Sequence, residues 1–340
     1  MLSKELTHTG EFLQYSRRHP EYFENGMNFD LADGTCVSIP SAGIIIFTPA
    51  NPANKDIVLS CGVHGNETAP IEICDDLVKS ILTGRLCLAQ RVMFLFANLP
   101  AMDIAERFVE ENLNRLFSGA HASNSELANA ERLRAKQLED AVANFFQTAQ
   151  GDMRLHYDLH TAIRPSKNDK FAVYPFLHGK PHCKQQLALL SACGVNTILL
   201  SENPTTTFSY FSSHSFDAHS FTVELGKVRP FGENDMRQFT AVIDTLGKLI
   251  SQLELHVAEY DPTKMDIFRV NQVINKHQDD FKLHFADDIP NFTDFKRGTL
   301  LASETGTSYF TEYDGEAIVF PNAQVALGQR ALLTVVPTEL

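Results

Sequence analysis

The chain has 340 residues, of which 44% are hydrophobic and 21% are charged, and its formal net charge is −13. This length allows one large domain with a smaller one beside it, and the composition is typical of a globular protein. The acidic balance argues against nucleic acid as a partner, because phosphate binding needs a basic face. It does not exclude a small acidic substrate, since a local cluster of arginines can override the global field.

Cysteine usage and hydropathy indicate the compartment. The six cysteines show neither a C-x-x-C pair nor the spacing of a disulfide framework. We therefore expect reduced thiols and a cytoplasmic protein. The amino terminus has no apolar signal region, and no stretch approaches the roughly 18 apolar residues of a membrane span. The sequence thus predicts no membrane partner, and it leaves a homo-oligomer open.

In chain order, the first stretch that carries chemistry is residues 57–70, which read IVLSCGVHGNETAP. It begins as an apolar strand, breaks at two glycines and resumes as a helix, with Thr68 as the predicted N-cap. A glycine-rich turn at the carboxyl end of a strand is where α/β proteins place their functional groups. This turn carries His64 and Glu67, which are close enough to bind one metal ion together.

The His-x-x-Glu spacing alone is a weak signal. About one such pair is expected from ordinary composition, and the sequence contains three. The pairs are His8 and Glu11, His64 and Glu67, and His256 and Glu259. Only the second pair lies between a strand and a helix, so a metal site is predicted only if a third ligand joins it.

Apolar periodicity predicts the elements around this turn. Strands are predicted at 43–47, 92–96, 171–174 and 197–200, and helices at 125–147, 184–192 and 234–256. Residues 203–214 are rich in serine and threonine and are interpreted as a mobile loop. From residue 266 the pattern changes to short alternating segments with turn signals. This change predicts an α/β domain over residues 1–260 and a small all-β domain over 261–340.

Two later strands end in polar side chains. The segment RLHYDLH alternates, so that His156, Asp158 and His160 lie on one face of a strand. His160 closes that strand, and Asp158 is its predicted hydrogen-bond partner. A strand at 221–224 ends in Glu224, a charge that is costly to bury unless it is paired or functional.

These strand-end residues together define a candidate site. His64, Glu67 and His160 supply two imidazoles and one carboxylate, the ligand set of a catalytic zinc ion with an open position for water. The prediction is one zinc ion per chain, with Glu224 as the general base for that water. The alternative for Glu224 is a structural carboxylate paired with Lys227 or Arg229.

These motifs resemble the succinylglutamate desuccinylase/aspartoacylase branch of the M14-type zinc carboxypeptidases. The resemblance rests on HGNE, DLHT and the later strand-end glutamate, and on the strings SCGVHGNETAP and TVELGKVRPFGEND. It extends from about residue 43 to the carboxyl terminus. It implies a carboxypeptidase-like α/β fold, in which a mixed sheet is flanked by helices and followed by a smaller all-β domain.

The resemblance also implies residues that bind substrate carboxylates. The matching positions are Arg107, Asn114, Arg115 and Tyr210. The alternative for Arg107 and Arg115 is a solvated loop charge. Where related aspartoacylases carry an arginine, this chain has His214, so the partner of a second carboxylate stays open. Arg164, just after His160, is a candidate for that role.

The reaction that the resemblance implies is hydrolysis of the amide of N-succinyl-L-glutamate to succinate and L-glutamate, the last step of the arginine succinyltransferase pathway. Two alternatives are a deacylase of another N-acyl amino acid and a peptide carboxypeptidase. A third is a protein that keeps the metal without catalysis. The presence of Glu224 and of the arginine cluster argues against the third.

Overall fold

The computed structural model describes residues 2–123 and 129–340. Within these ranges the α-helices are α1 (Leu2–Thr9), α2 (Phe12–Arg18), α3 (Thr68–Leu82), α4 (Leu99–Asp103), α5 (Ala130–Gln147), α6 (Lys184–Ala192), α7 (Phe208–Phe216) and α8 (Thr240–Ser251). The strands are β1 (Met27–Asp30), β2 (Cys36–Ser41), β3 (Ile44–Thr48), β4 (Lys55–Cys61), β5 (Arg91–Phe96), β6 (Met153–Ala162), β7 (Phe171–Tyr174), β8 (Thr197–Leu200), β9 (His219–Lys227), β10 (Asp266–Asn275), β11 (Lys282–Leu283), β12 (Thr293–Phe295), β13 (Leu300–Glu304), β14 (Thr307–Phe310), β15 (Glu316–Val319) and β16 (Arg330–Pro337).

A mixed sheet of 13 strands runs through the molecule in the order β1-β2-β3-β5-β4-β6-β9-β7-β8-β10-β16-β15-β12. Its centre is parallel, since β4 pairs in parallel with both β5 and β6, and β6 pairs in parallel with β9. Parallel strands need cover on both faces, and β4 and β5 are buried at every residue except Lys55. The remaining described strands β11, β13 and β14 form a separate small sheet.

The core lies on both faces of this sheet. In β4, Ile57 and Leu59 pack into a cluster with helices α1, α2, α3, α6 and α8, whereas Val58 packs on the other face with α5 and α7. This follows from the two-residue period of a strand. All three side chains are fully buried, and each such burial contributes about 1.5–3 kcal/mol. The centre of the sheet is therefore a rigid base for the turns at its edge.

The carboxyl-terminal region is built of strands but is joined to the same sheet. Strand β10 pairs in parallel with β8, and β16 pairs antiparallel with β10. The predicted fold class is confirmed: a mixed sheet flanked by helices, with a smaller all-β region at the carboxyl end. The division into domains at residue 260 stays a prediction, because hydrogen bonds cross from one part to the other.

Several element predictions are confirmed, with the predicted bounds at β7, β8 and α6. The interpretation of residues 203–214 as a mobile loop is wrong for residues 208–214, because α7 begins at Phe208 and its first six residues are buried. Two of its serine hydroxyl groups have partners inside the protein: Ser212 Oγ lies 2.7 Å from His156 Nδ1, and Ser209 Oγ lies 2.8 Å from Thr222 Oγ1. A polar composition was therefore compatible with burial.

Three helix boundaries also differ from the predictions. Glu67, not Thr68, is the N-cap of α3, and the Thr68 hydroxyl donates to the backbone carbonyl of Arg229 instead. Helix α8 is shorter than predicted and is preceded by a 3-10 turn at Met236–Phe239. Helix α5 begins after Asn129, whose side chain caps it. The earlier start predicted for this helix, over residues 125–128, lies outside the described residues.

None of the described helices combines the length and the apolar character that crossing a membrane requires.

Gly65 packs directly against the backbone after β5. A Cβ atom at this position would lie 2.1 Å from the carbonyl carbon of Ala101, so the turn or α4 would have to move. We expect Gly65→Ala to destabilise the protein by about 1–3 kcal/mol, as overpacking does. Gly247→Ala in α8 is the control, because its Cβ would meet only Leu77, at 4.0 Å, and alanine is the better helix former by about 1 kcal/mol. Equal urea midpoints for the two variants would contradict this account.

Candidate metal and catalytic site

Three neighbouring parallel strands bring the predicted residues to one edge of the sheet. His64 and Glu67 lie in the turn after β4, and His160 lies near the carboxyl end of β6. Glu224 occupies the register position opposite His160, near the end of β9. Because β4, β6 and β9 are adjacent and run in the same direction, their carboxyl ends meet there.

The turn after β4 is held by backbone contacts. Gly62 has a φ of +64°, which favours glycine, and its carbonyl accepts a hydrogen bond of 2.9 Å from Asn98 N. Gly65 N donates to the carbonyl of Arg107 over 3.2 Å. Although Glu67 is the N-cap of α3, its side chain does not cap the helix. The carboxylate is therefore free to face the imidazoles.

The three predicted ligands converge. Oε1 of Glu67 lies 2.8 Å from Nδ1 of His64, and Oε2 lies 2.9 Å from Nδ1 of His160. One ligand atom from each residue lies within 4.8 Å of the others. All three side chains are buried, with 3% of His64, 2% of Glu67 and 1% of His160 exposed.

The surroundings of the two imidazoles shift their pKa values in opposite directions. Burial, and then the charge of Arg107, lower the pKa of His64 to about 4. Burial would also lower the pKa of His160, but the carboxylates of Asp158 and Glu67 raise it well above the ordinary value. Two buried carboxylates around His160 therefore favour a positive charge at this point, supplied by a proton or by a cation.

The donor set fits a divalent metal ion. Nδ1 of His64 is buried and makes no hydrogen bond with any described residue, although Oε1 of Glu67 is only 2.8 Å away. Such an orphaned ring nitrogen beside a carboxylate is what remains when two ligand atoms point at a common cation. Two imidazoles and one carboxylate are the ligands of many catalytic zinc sites.

A hydrogen-bond chain extends behind His160. Its Nε2 lies 2.9 Å from Oδ2 of Asp158, whose Oδ1 accepts a 2.6 Å hydrogen bond from the Ser60 hydroxyl. The same hydroxyl lies 2.8 Å from Nε2 of His156. His156, Asp158 and His160 are thus connected on one face of β6, as the alternation predicted. In metal sites, a hydrogen-bond partner on the second ring nitrogen orients the imidazole toward the metal ion.

Glu224 lies beside this cluster without a partner of its own. It is 7% exposed, and its Oε2 makes no hydrogen bond with the described residues. Burial, and then the charge of Glu67, raise the pKa of Glu224 to about 7. No ion pair joins it to Lys227 or Arg229 within residues 2–123 and 129–340, so the structural alternative has no support.

A cavity of about 290 Å³ opens in front of Glu224. Its walls come from the turn after β4, from the ends of β6 and β9, from the loop around residue 112 and from the carboxyl-terminal region. The lining residues that are charged are Glu67, Arg107, Arg115, Arg164, Glu224 and Arg330. The cavity therefore combines four guanidinium groups with two carboxylates, which suits a small anionic molecule.

The predicted substrate residues have different surroundings. Arg107, Arg115 and Arg164 line the cavity, and Arg107 also donates to Oε1 of Glu67 over 2.7 Å. Asn114 and Tyr210 lie outside the cavity lining. The Asn114 side chain accepts a hydrogen bond from the backbone of Phe208, and the Tyr210 hydroxyl lies 3.0 Å from His178 Nε2. Their predicted contacts with substrate stay predictions.

Sequence reasoning missed two residues of the site. Oδ1 of Asn112 lies 3.0 Å from Nε2 of His64 and also accepts a hydrogen bond from the backbone of Asn114. Its place in the string ENLNRLF, two residues before Asn114, was the available signal. Arg330 reaches the cavity from β16, and nothing in its local sequence indicates this.

Comparison with known proteins agrees with this geometry. The model of the succinylglutamate desuccinylase/aspartoacylase catalytic domain matches residues 53–250, and the AstE/AspA barrel-sandwich hybrid domain matches residues 263–338. A succinylglutamate desuccinylase of Pseudoalteromonas atlantica is 59% identical over 100% of this chain and 97% of its own length. The chain therefore belongs to the succinylglutamate desuccinylase/aspartoacylase family, which confirms the resemblance, and it is an enzyme of the hydrolase class.

Solved structures show the same relationship. The succinylglutamate desuccinylase of Chromobacterium violaceum superposes with a TM-score of 0.86 at 40% identity, covering 98% of this chain and 99% of that one. The corresponding protein of Vibrio parahaemolyticus also gives a TM-score of 0.86, at 34% identity, over 96% and 95% of the two chains.

We expect Asp158→Asn to weaken the hydrogen-bond chain behind His160. An amide cannot accept through both of its ends, so either Ser60 or His160 faces a donor, at a cost of about 1–3 kcal/mol. Urea unfolding of the protein after removal of metal by a chelator measures this loss. Asp244→Asn, at an exposed position of α8, should leave the unfolding free energy unchanged. Equal free energies of unfolding for the two variants would show that the hydrogen-bond chain behind His160 does not stabilise the protein.

Proposed function

We propose that this enzyme hydrolyses N-succinyl-L-glutamate to succinate and L-glutamate with one zinc ion per chain. The observation that carries the proposal is the meeting of two imidazoles, one carboxylate and an unpaired glutamate at the wall of an arginine-lined cavity. The names of the relatives at 59% and 40% identity support the choice of substrate. The pathway step implied by the resemblance, the end of arginine succinyltransferase catabolism, is part of this proposal.

His64, Glu67 and His160 would hold the metal. When bound there, zinc supplies a Lewis acid that polarises the amide carbonyl and makes water easier to deprotonate. The residues around the ligands keep them in place: Asp158 fixes the ring of His160, and Asn112 fixes that of His64. Both contacts leave the Nδ1 atoms directed toward Glu67.

Glu224 would move the proton. Its unpartnered Oε2 can accept a proton from the attacking water, whose oxygen forms a bond to the amide carbon. The same carboxyl group can then deliver that proton to the glutamate nitrogen as the carbon–nitrogen bond breaks. One carboxylate thus serves as base and then as acid, and the products are an amine and a carboxylic acid, which releases its proton to solvent.

Arginines would bind the carboxylates of the substrate. Arg115 donates to the backbone carbonyl of Asn114 but has no carboxylate partner among the described residues. Burial, and then the nearby Arg107, lower the pKa of Arg115 to about 10, which keeps it cationic at neutral pH. Arg107 lines the same cavity and donates to Oε1 of Glu67 over 2.7 Å. Guanidinium forks bind carboxylates in a geometry that lysine does not reproduce.

The location and the substrate range are further parts of the proposal. The six cysteines are all unpaired, which fits a reducing compartment such as the cytoplasm. A deacylase of another N-acyl amino acid and a carboxypeptidase are the competing activities. A panel of N-succinyl, N-acetyl and N-benzoyl amino acids with a short peptide, assayed for amine release, tests the choice. Faster release from any other member than from N-succinyl-L-glutamate would contradict the proposed substrate.

Removal of His160 tests the metal site. We expect His160→Ala to reduce zinc affinity by more than the roughly 10–100-fold that loss of an outer hydrogen-bond partner costs. His8→Ala and His256→Ala remove the histidines of the other two His-x-x-Glu pairs and should keep one zinc ion per chain. Elemental analysis after dialysis measures the content, and full zinc in the His160 variant would refute the ligand assignment.

Glu224→Gln tests the proposed base. Glutamine keeps the size of the side chain but cannot accept the proton, so kcat should fall by about 10²–10⁴-fold, the contribution of a general acid–base group. Zinc content and substrate binding should persist. If the variant keeps more than about a tenth of kcat, the loss is smaller than a general acid–base group contributes, and the base lies elsewhere.

A further inference from the structure

Arg330 brings the carboxyl-terminal region into the catalytic cavity. It is the first residue of β16, and its side chain lines the same cavity as Glu224 and Arg115. The metal ligands and Glu224 all come from β4, β6, β9 and the adjoining turn, far from β16 in the sequence. One wall of the cavity is thus built by a separate part of the chain.

The Arg330 guanidinium has no anionic partner in the described protein. Its Nε is buried without a hydrogen bond, and no ion pair or side-chain hydrogen bond involves it within residues 2–123 and 129–340. The ring of Phe320 lies 5.4 Å from its Cζ, which supports the planar group from one side. Burial, and then the charges of Arg115 and Arg107, lower the pKa of Arg330 to about 9.

Three other enclosed guanidinium groups of this chain have protein partners. Arg91 lies 2.7 Å from Asp56, and Arg132 lies 2.7 Å from Glu111. Arg134 donates to three backbone carbonyls, of Ala42, Phe96 and Ala97. A buried charge without such partners is costly. Arg330 lacks such partners among the described residues, and it faces a cavity where a ligand can supply the missing acceptor.

We propose that Arg330 binds one carboxylate of the substrate and thereby determines specificity. The inference rests on the proposed function, because N-succinyl-L-glutamate carries three carboxylates. Arg115 and Arg330 are two guanidinium groups of the cavity that have no protein carboxylate. Arg115 and Arg164 each donate to one backbone carbonyl, whereas no hydrogen bond of the Arg330 side chain is found among the described residues. The carboxyl-terminal region then supplies part of the substrate site.

The first test is steady-state kinetics of zinc-loaded Arg330→Met. Loss of a charge-assisted contact should lower kcat/KM on N-succinyl-L-glutamate by about 10- to 100-fold, mainly through KM. Arg297→Met is the matched control, because it removes an exposed arginine of the same region, and it should match the wild type. Unchanged zinc content excludes a general loss of structure.

Three substrate analogues separate a direct contact from a structural effect. N-butanoyl-L-glutamate lacks the succinyl carboxylate, N-succinyl-L-glutamine lacks the side-chain carboxylate, and N-succinyl-4-aminobutyrate lacks the α-carboxylate. The Arg330→Met penalty should disappear for one of the three and persist for the other two. An equal penalty on all substrates, or no penalty, overturns the proposal.

Binding measurements distinguish failure of the role proposed for Arg330 from failure of the proposed function. Calorimetry of N-succinyl-L-glutamate is made on Glu224→Gln, alone and combined with Arg330→Met or with Arg297→Met. Weaker binding only in the Arg330 combination supports the inference. Equal binding in all three refutes the inference and leaves the proposed function intact. No binding to Glu224→Gln, together with no turnover by the wild type, refutes both.

Discussion

Burial of the Glu67 carboxylate is the interaction on which the site depends. A buried charge costs several kcal/mol unless its oxygens are matched. Here one oxygen faces His64 at 2.8 Å and the other faces His160 at 2.9 Å, while the backbone N–H of Thr161 donates to it over 3.0 Å. These partners come from the turn after β4 and from the end of β6. Because the buried carboxylate needs all of them, it holds the turn against the end of β6. Burial, which alone would raise the pKa of Glu67, is outweighed by the two histidines, and its pKa lies well below the usual range.

The same constraint explains why Glu224, the proposed base, is separate from the three residues that could hold a metal ion. Glu224 is in register with His160 on the adjacent strand, close enough for the charge of Glu67 to raise its pKa, yet its Oε2 is bonded to none of the described residues. A parallel sheet supplies this arrangement because neighbouring strands end at one edge. The carboxyl-terminal strands extend the sheet and place Arg330 across the cavity.

The meeting of His64, Glu67 and His160 beside Glu224 could be predicted from sequence, because each of these residues lies where a local pattern changes. Glycines interrupt an apolar run before His64, and alternation ends at His160. Local sequence patterns gave wrong or no predictions where the contacting residues are far apart in the sequence. The buried hydroxyls of α7 are satisfied by β6 and β9, so a serine-rich segment that resembles a loop is a helix. Arg330 reaches the cavity because β16 pairs with β10 and β15, and no local pattern encodes these pairings.

The central claim is that His64, Glu67 and His160 converge on one metal ion beside Glu224. A crystal structure of the zinc-loaded Glu224→Gln variant, with data collected at the zinc absorption edge, tests it most directly. The account predicts one anomalous peak at about 2.0–2.2 Å from a nitrogen of each histidine and an oxygen of Glu67. A peak coordinated by other residues, or one that does not include His160, would contradict it.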